Sequence, residues 1–159
     1  MIGTRGIWIV DVRARRKEGD VLGYGREQFI QFEVGQNPYA VHISDVQEII
    51  KLQEISALPN AHPYVKGVIQ LRERIIPVIS LSYALGLCEE PLSKHARILI
   101  IRQDNEDVGI LVDRVNKVAV FDQVQPMPDT REAGGVTFIA IGISDQALVG
   151  ILKFNRMLV

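Results

Sequence analysis

The stretch from Tyr64 to Leu81, YVKGVIQLRERIIPVISL, places two apolar runs, Val65 to Leu71 and Ile75 to Leu81, on either side of a charged corner, Arg72-Glu73-Arg74. Runs of this length, rich in Val and Ile and joined by polar residues, are the pattern of a β-hairpin. Pro77 has no N–H to give to a ladder, which predicts that the second strand lies at a sheet edge or carries a bulge. Gly67 interrupts the first strand, where glycine marks either a local distortion or a close approach by another backbone.

The flanking segments repeat this style. On the N-terminal side, Ile30, Phe32 and Val34 alternate with Gln31 and Glu33, and turn residues 35–38 lead to a second alternating run, Tyr39 to Ile43. In Ser44-Asp45-Val46-Gln47 a hydroxyl stands three residues before a Gln, which predicts a short capped helix with Val46, Ile49 and Ile50 on its apolar face and Glu48 on it. On the C-terminal side, Ser82 to Leu87 reads as a helical turn that Gly86 ends. Ile98–Ile101 and Val108–Val115 form a hairpin about a four-residue polar loop, Asp104 to Asp107. Lys117–Phe121 is a further strand, the Pro-containing stretch 122–135 a long loop, and Phe138–Ile143 with Ala147–Phe154 a last hairpin about residues 144–146. About nine or ten short strands at regular spacing indicate an all-β chain, barrel or sandwich, with minor short helices.

The bulk properties fit that reading. The chain has 159 residues, 47% hydrophobic and 23% charged, which suits one soluble domain with a real core. Residues 1–26 carry a net charge of +3 and the remainder −4. They read as an N-terminal extension to a single domain over 27–159. So weak a field argues against nucleic acid. Cys88 is the sole cysteine, so no internal disulfide forms and a reducing compartment is expected. Glu89 and Glu90 beside it disfavour a thiolate. No apolar run approaches the ~20 residues that span a bilayer, so a cytoplasmic protein without membrane insertion is expected.

Chemistry is sparse. His42, His62 and His95 lack ligand spacing, so no metal is expected. No nucleophile elbow, zinc-protease, phosphate-loop or kinase motif occurs, so neither catalysis nor a cofactor is expected. Glu48 and Arg72 have two readings: solvated surface charges, or a pair that orients itself beside an apolar groove and presents Arg72 to a partner.

Four segments together, Val46–Ile49, Val65–Arg72, Ile75–Leu81 and Val108–Val115, resemble the successive motifs of the CheW family of bacterial chemotaxis coupling proteins, from about residue 28 to the C-terminus. The resemblance implies two intertwined SH3-like five-stranded β-barrel subdomains and a non-enzymatic adaptor. It implies as partners the regulatory domain of a CheA-type histidine kinase and the cytoplasmic tips of methyl-accepting chemoreceptors. It puts kinase and receptor binding at Val46, Glu48, Gly67, Leu71, Arg72 and Gly109, with Val112, Val115 and Val118 along a receptor groove. On pattern alone those three valines are equally well core, and Gly67 equally well a strand distortion. Two departures stand out: Gln70-Leu71-Arg72-Glu73 replaces the family's usual Asn-Leu-Arg-Gly, and Ser80 replaces a frequent Asp. Glu73 then needs a turn that avoids positive φ, or tolerates strain. A paralogue in a pilus-motility array, a CheV-like coupling domain and a small ligand-binding barrel are the alternatives.

Overall fold

The computed structural model describes residues 8–9, 27–89, 91–133, 135–145 and 147–155. Apart from Trp8 and Ile9, the expected extension lies outside them. The strands are β1 (Trp8–Ile9), β2 (Phe29–Val34), β3 (Asn37–His42), β4 (Val46–Lys51), β5 (Val65–Leu71), β6 (Arg74–Ser80), β7 (Arg97–Gln103), β8 (Glu106–Val112), β9 (Arg114–Ala119), β10 (Gln123–Ala133), β11 (Val136–Ser144) and β12 (Ala147–Phe154). One helical turn, α1 (Leu81–Ala84), follows β6. Two sheets result, in the orders β1-β4-β7-β8-β6-β5 and β10-β11-β12-β3-β2-β9. The fold is therefore mostly β in two sheets, as expected.

The inner strands of each sheet are buried on both faces. In β7, Ile98 and Ile100 point into a cluster with Ile50, Ile69, Ile76, Val78 and Leu111 that belongs to the first sheet alone. Leu99 and Ile101, on the opposite face, join Ile30, Phe32, Val34, Val41, Ile110 and Val112 in a core shared by both sheets. The second sheet has its own cluster in turn, built on Phe29, Phe121, Val149 and Ile151. This double burial explains the unbroken apolar runs, since a strand covered on both faces loses its period-two alternation.

Three of the hairpins share one turn chemistry. Gly35-Gln36, Arg72-Glu73 and Asp104-Asn105 all have positive φ at both positions, Arg72 at 47° and Glu73 at 69°, so each is a two-residue turn of the kind that matches strand twist. The four-residue loop expected at 104–107 is thus a two-residue turn, and Glu106 and Asp107 lie in β8. The strand expected over 108–115 breaks at Asp113, whose N–H donates to Glu33 O at 3.0 Å. α1 ends as expected: Gly86 (φ +74°) follows it, with Gly86 N donating to Tyr83 O and Leu87 N to Ser82 O, a Schellman closure.

Three further expectations fail for physical reasons. Residues 46–51 form strand β4 rather than a helix, and the Ser44 signal marks only a single 3-10 turn, Ile43–Asp45, capped by the His42 side chain. The stretch expected as a loop at 122–135 is largely β10, an edge strand, where Pro126 and Pro128 are tolerated. Pro77, by contrast, lies inside a sheet, with β6 between β5 and β8. Its partner Val68 exchanges both backbone hydrogen bonds with Ser56 instead, at 2.8 and 2.9 Å. Val68 therefore needs nothing from Pro77 on the β5 side, and the parallel pairing to β8 starts only at Val78, so no ladder bond from Pro77 is missed on either side.

Candidate protein-interaction site

β4 and β5 are separated by three strands in the first sheet, yet the sheet curls until they meet. Ser56, in the chain leaving β4, bridges Val68, Gln53 Nε2 donates to Gln70 O at 2.8 Å, and Arg72 reaches Glu48. Arg72 Nη1 and Nη2 donate to Glu48 Oε1 and Oε2 at 2.7 and 2.5 Å, a bidentate fork. The carboxylate is buried, with 9% of its side chain exposed, whereas 55% of the Arg72 side chain faces solvent. The hydrogen bonds to Glu48, then its charge, push the guanidinium further above its usual range. Arg72 is thus permanently charged, held in one orientation, and open to a partner on its outer edge. Of the two readings, mutual orientation is the one the geometry has. It sits on a turn whose two residues occupy left-handed space that costs an ordinary side chain about 1 kcal/mol each. Glu73 thus stands in left-handed space where a glycine is usual.

The other candidates separate into groups. Leu71 packs against the first sheet's own cluster. Val46 and Val112 are buried in the shared core, with Val115 and Val118 half-buried at its margin. Gly67 and Gly109 are buried glycines whose need is steric. A Cβ on Gly67 (φ +150°) would stand 2.1 Å from Ser56 O, and one on Gly109 2.8 Å from Ile98 Cγ2. For Gly67 the close approach is made by the chain's own Ser56, across the bulge at Lys66.

Two charge networks escaped the sequence reading. Asp107, its side chain 2% exposed, contacts Arg74 Nη1 at 2.5 Å and Arg102 Nε at 3.0 Å. It ties β6, β7 and β8 together. The two-residue turn at 104–105 sets Arg102 opposite Asp107, so the signal lay in the turn length. Ser80 Oγ accepts from Tyr83 N at 3.2 Å, capping α1, and donates to Glu89 Oε2 at 2.9 Å. Lys66 Nζ lies 3.1 Å from the same oxygen. Burial pushes the Glu89 carboxyl up, but the Lys66 and Ser80 hydrogen bonds together outweigh it and hold the group below its ordinary value. An Asp at 80 would cap the helix but, lacking a proton, could not donate to Glu89, which gives the Ser80 departure a local rationale. Of the histidines, His42 bonds Ser44 Oγ and lies 3.1 Å from Glu27, and His62 stacks on Tyr64. Cys88 is exposed. Among the described residues no helix is long and apolar enough to cross a membrane.

Comparison with known proteins agrees with this architecture. The model of the CheW-like domain matches residues 28–159. The Helicobacter pylori chemotaxis protein CheW is 32% identical over 133 residues, 82% of this chain and 81% of that protein. The Bacillus subtilis chemotaxis protein CheW is 31% identical, with 83% and 86% covered. The crystal structure of the scaffolding protein TtCheW from Thermoanaerobacter tengcongensis superposes with a TM-score of 0.74 at 28% identity, covering 81% of this chain and 90% of that one. A two-sheet fold with a shared core, four family motifs in register and a domain match across nearly the whole body lead to one conclusion: the chain belongs to the CheW family and is a non-enzymatic scaffolding and coupling protein of chemotaxis.

Proposed function

We propose that this chain joins the regulatory domain of a CheA-type histidine kinase to the cytoplasmic tips of methyl-accepting chemoreceptors, within cytoplasmic signalling arrays, and that its body from residue 27 onward acts as one coupling domain. The observation that carries this reading is Arg72: a half-exposed guanidinium fixed by a buried carboxylate on a strained turn. An oriented Arg beside apolar surface is the kind of anchor that dominates binding energy in protein interfaces. Leu71 adjoins it, and Val115 and Val118, half-buried at the core margin, supply apolar surface for the receptor, whereas Val46 and Val112, expected to contact a partner, are fully buried and only support that surface from the core beneath. The role of Gly67 and Gly109 in this scheme is indirect, since they let the strands beneath that surface pack.

The test is calorimetric titration with the regulatory domain of each CheA-type kinase of the source organism. Saturable binding to one of them is expected, and Arg72→Ala should weaken it by about 1–3 kcal/mol. Removing Arg72 also strands the Glu48 charge, which itself destabilises, so the Arg72→Ala/Glu48→Gln double variant is the control. It should recover stability without recovering affinity. A folded double variant with wild-type affinity would refute the role of Arg72.

A further inference from the structure

We infer that Lys94, His95, Arg97 and Arg114 form a docking patch for an acidic segment of a partner protein. The inference extends the coupling role to the chemistry of one partner and rests on that role. The turn at Ser93–Ala96, held by Ala96 N donating to Ser93 O at 3.1 Å, leads into β7. There Arg97 stands opposite Val112 in the ladder, and Arg114 begins β9, the edge strand of the second sheet, just past the break at Asp113. Three cationic side chains and the His95 ring therefore gather where the two sheets meet, beside the margin formed by Val115 and Val118.

Two observations make this more than a solvated surface. The cations crowd one another: the charge of Arg114 first, then burial and the charges of Lys94 and Arg97, hold the His95 ring below its ordinary pKa. Yet nothing among the described residues neutralises them. Among the described residues none of the four enters an ion pair, although five other Lys and Arg side chains do. Glu33 lies opposite Arg114 in the ladder but forms no ion pair with it, and Asp113 Oδ2 is occupied by the Gly35 N–H at 2.8 Å. Arg97 Nη1 is spent on two carbonyls, Lys94 O at 3.1 Å and Ala96 O at 2.8 Å. That anchors its guanidinium as a fixed charge rather than a mobile one. A body of net charge −4 that collects unneutralised cations in one place pays self-repulsion for no internal contact, and an anionic partner would reverse that repulsion.

The occupant is polypeptide because the patch has an apolar flank. Leu92, two residues before Lys94, is 41% exposed. Charges bordered by an exposed Leu suit an acidic segment with an apolar residue close by.

The probe is an acidic peptide, N-acetylated hexaglutamate followed by leucine, titrated into isotope-labelled protein at low salt and followed by amide shifts, with inorganic phosphate and a short DNA duplex in parallel. Saturable shifts confined to residues 92–97 and 113–118, lost on raising salt, are expected. Lys94→Glu/Arg114→Glu should weaken binding about tenfold or more, the scale of two reversed contacts, and Lys94→Gln/Arg114→Gln should do so in part. Shifts spread equally to Lys51 or Lys153, phosphate binding as tightly at the same amides, or the duplex binding more tightly would each overturn the assignment. Kinase titration is separate: peptide binding lost with kinase binding intact sinks this inference alone, and the converse sinks the coupling role alone.

Discussion

Gly67→Ala is expected to cost this protein several kcal/mol of stability. The added Cβ would stand 2.1 Å from Ser56 O and 2.7 Å from Ser56 C, whereas carbon contacts settle near ~3.5 Å. The 52–56 segment must therefore move by more than 1 Å (roughly the difference between those distances) and give up both hydrogen bonds between Ser56 and Val68. Those two bonds are worth about 1 kcal/mol each, and φ +150° costs a side chain about 1–3 kcal/mol more. The sum is about 3–5 kcal/mol, which at roughly 2–4 °C per kcal/mol for a domain of this size lowers Tm by about 10 °C. Thermal melting by circular dichroism measures it, with urea unfolding as a check on two-state behaviour. A Tm within about 2 °C of the parent, together with lost partner binding, would refute the steric argument and make Gly67 a contact residue.

Other outcomes follow from particular residues. Glu73→Gly, at φ +69°, relieves left-handed strain of about 1 kcal/mol against some backbone entropy, so Tm should rise by ~1–2 °C; a fall would show that the Glu73 side chain stabilises the turn. Asp107→Asn leaves Arg74 and Arg102 beside a neutral amide and should lower stability by about 3 kcal/mol, read as a shift of the urea midpoint. The Glu89 carboxyl is depressed on folding, so it stabilises the protein above its unfolded pKa, and that contribution fades as pH falls through the lower folded value. Glu89→Gln should therefore narrow the loss of Tm on acidification from roughly pH 5 to pH 3, and an unchanged Tm–pH slope would contradict it. Arg114→Gln should raise the His95 pKa, followed by NMR titration, because Arg114 is the foremost charge acting on that ring.

How much was legible in the sequence depended on whether local rules and tertiary contacts agreed. The hairpins at 29–42, 65–80 and 138–154 could be read because turn residues and apolar runs point the same way. β4 could not, because Ser44 and Gln47 imitate a helix cap while burial on both faces erases the strand period. Pro77 misled because the groups that relieve it belong to Ser56, a partner no local rule names. The Glu48–Arg72 pair was visible as two isolated charges, and what joined them was the curl of the sheet. Its turn breaks the local preference for glycine at positive φ. Family membership, by contrast, was legible because four motifs recur in order, although each alone is mostly apolar.

The sheet orders also fix a sequence of assembly during synthesis. Apart from the two-residue β1, the first sheet is made of β4 to β8, consecutive in the chain, so these can pair as soon as they emerge. The second sheet is made from both flanks: Tyr39 to Val41 of β3 lie parallel to Gly150 to Leu152 of β12. Until β12 leaves the ribosome, β3 presents an unpaired edge, and Phe32, Val34 and Val41 face a core without its last wall. Contacts so distant in sequence are slow to form and leave edges open to aggregation meanwhile. A nascent chain halted before Ala147 would thus hold a paired first sheet and a sticky, half-built second one, making the final eight-residue strand the step that commits the chain to its native state.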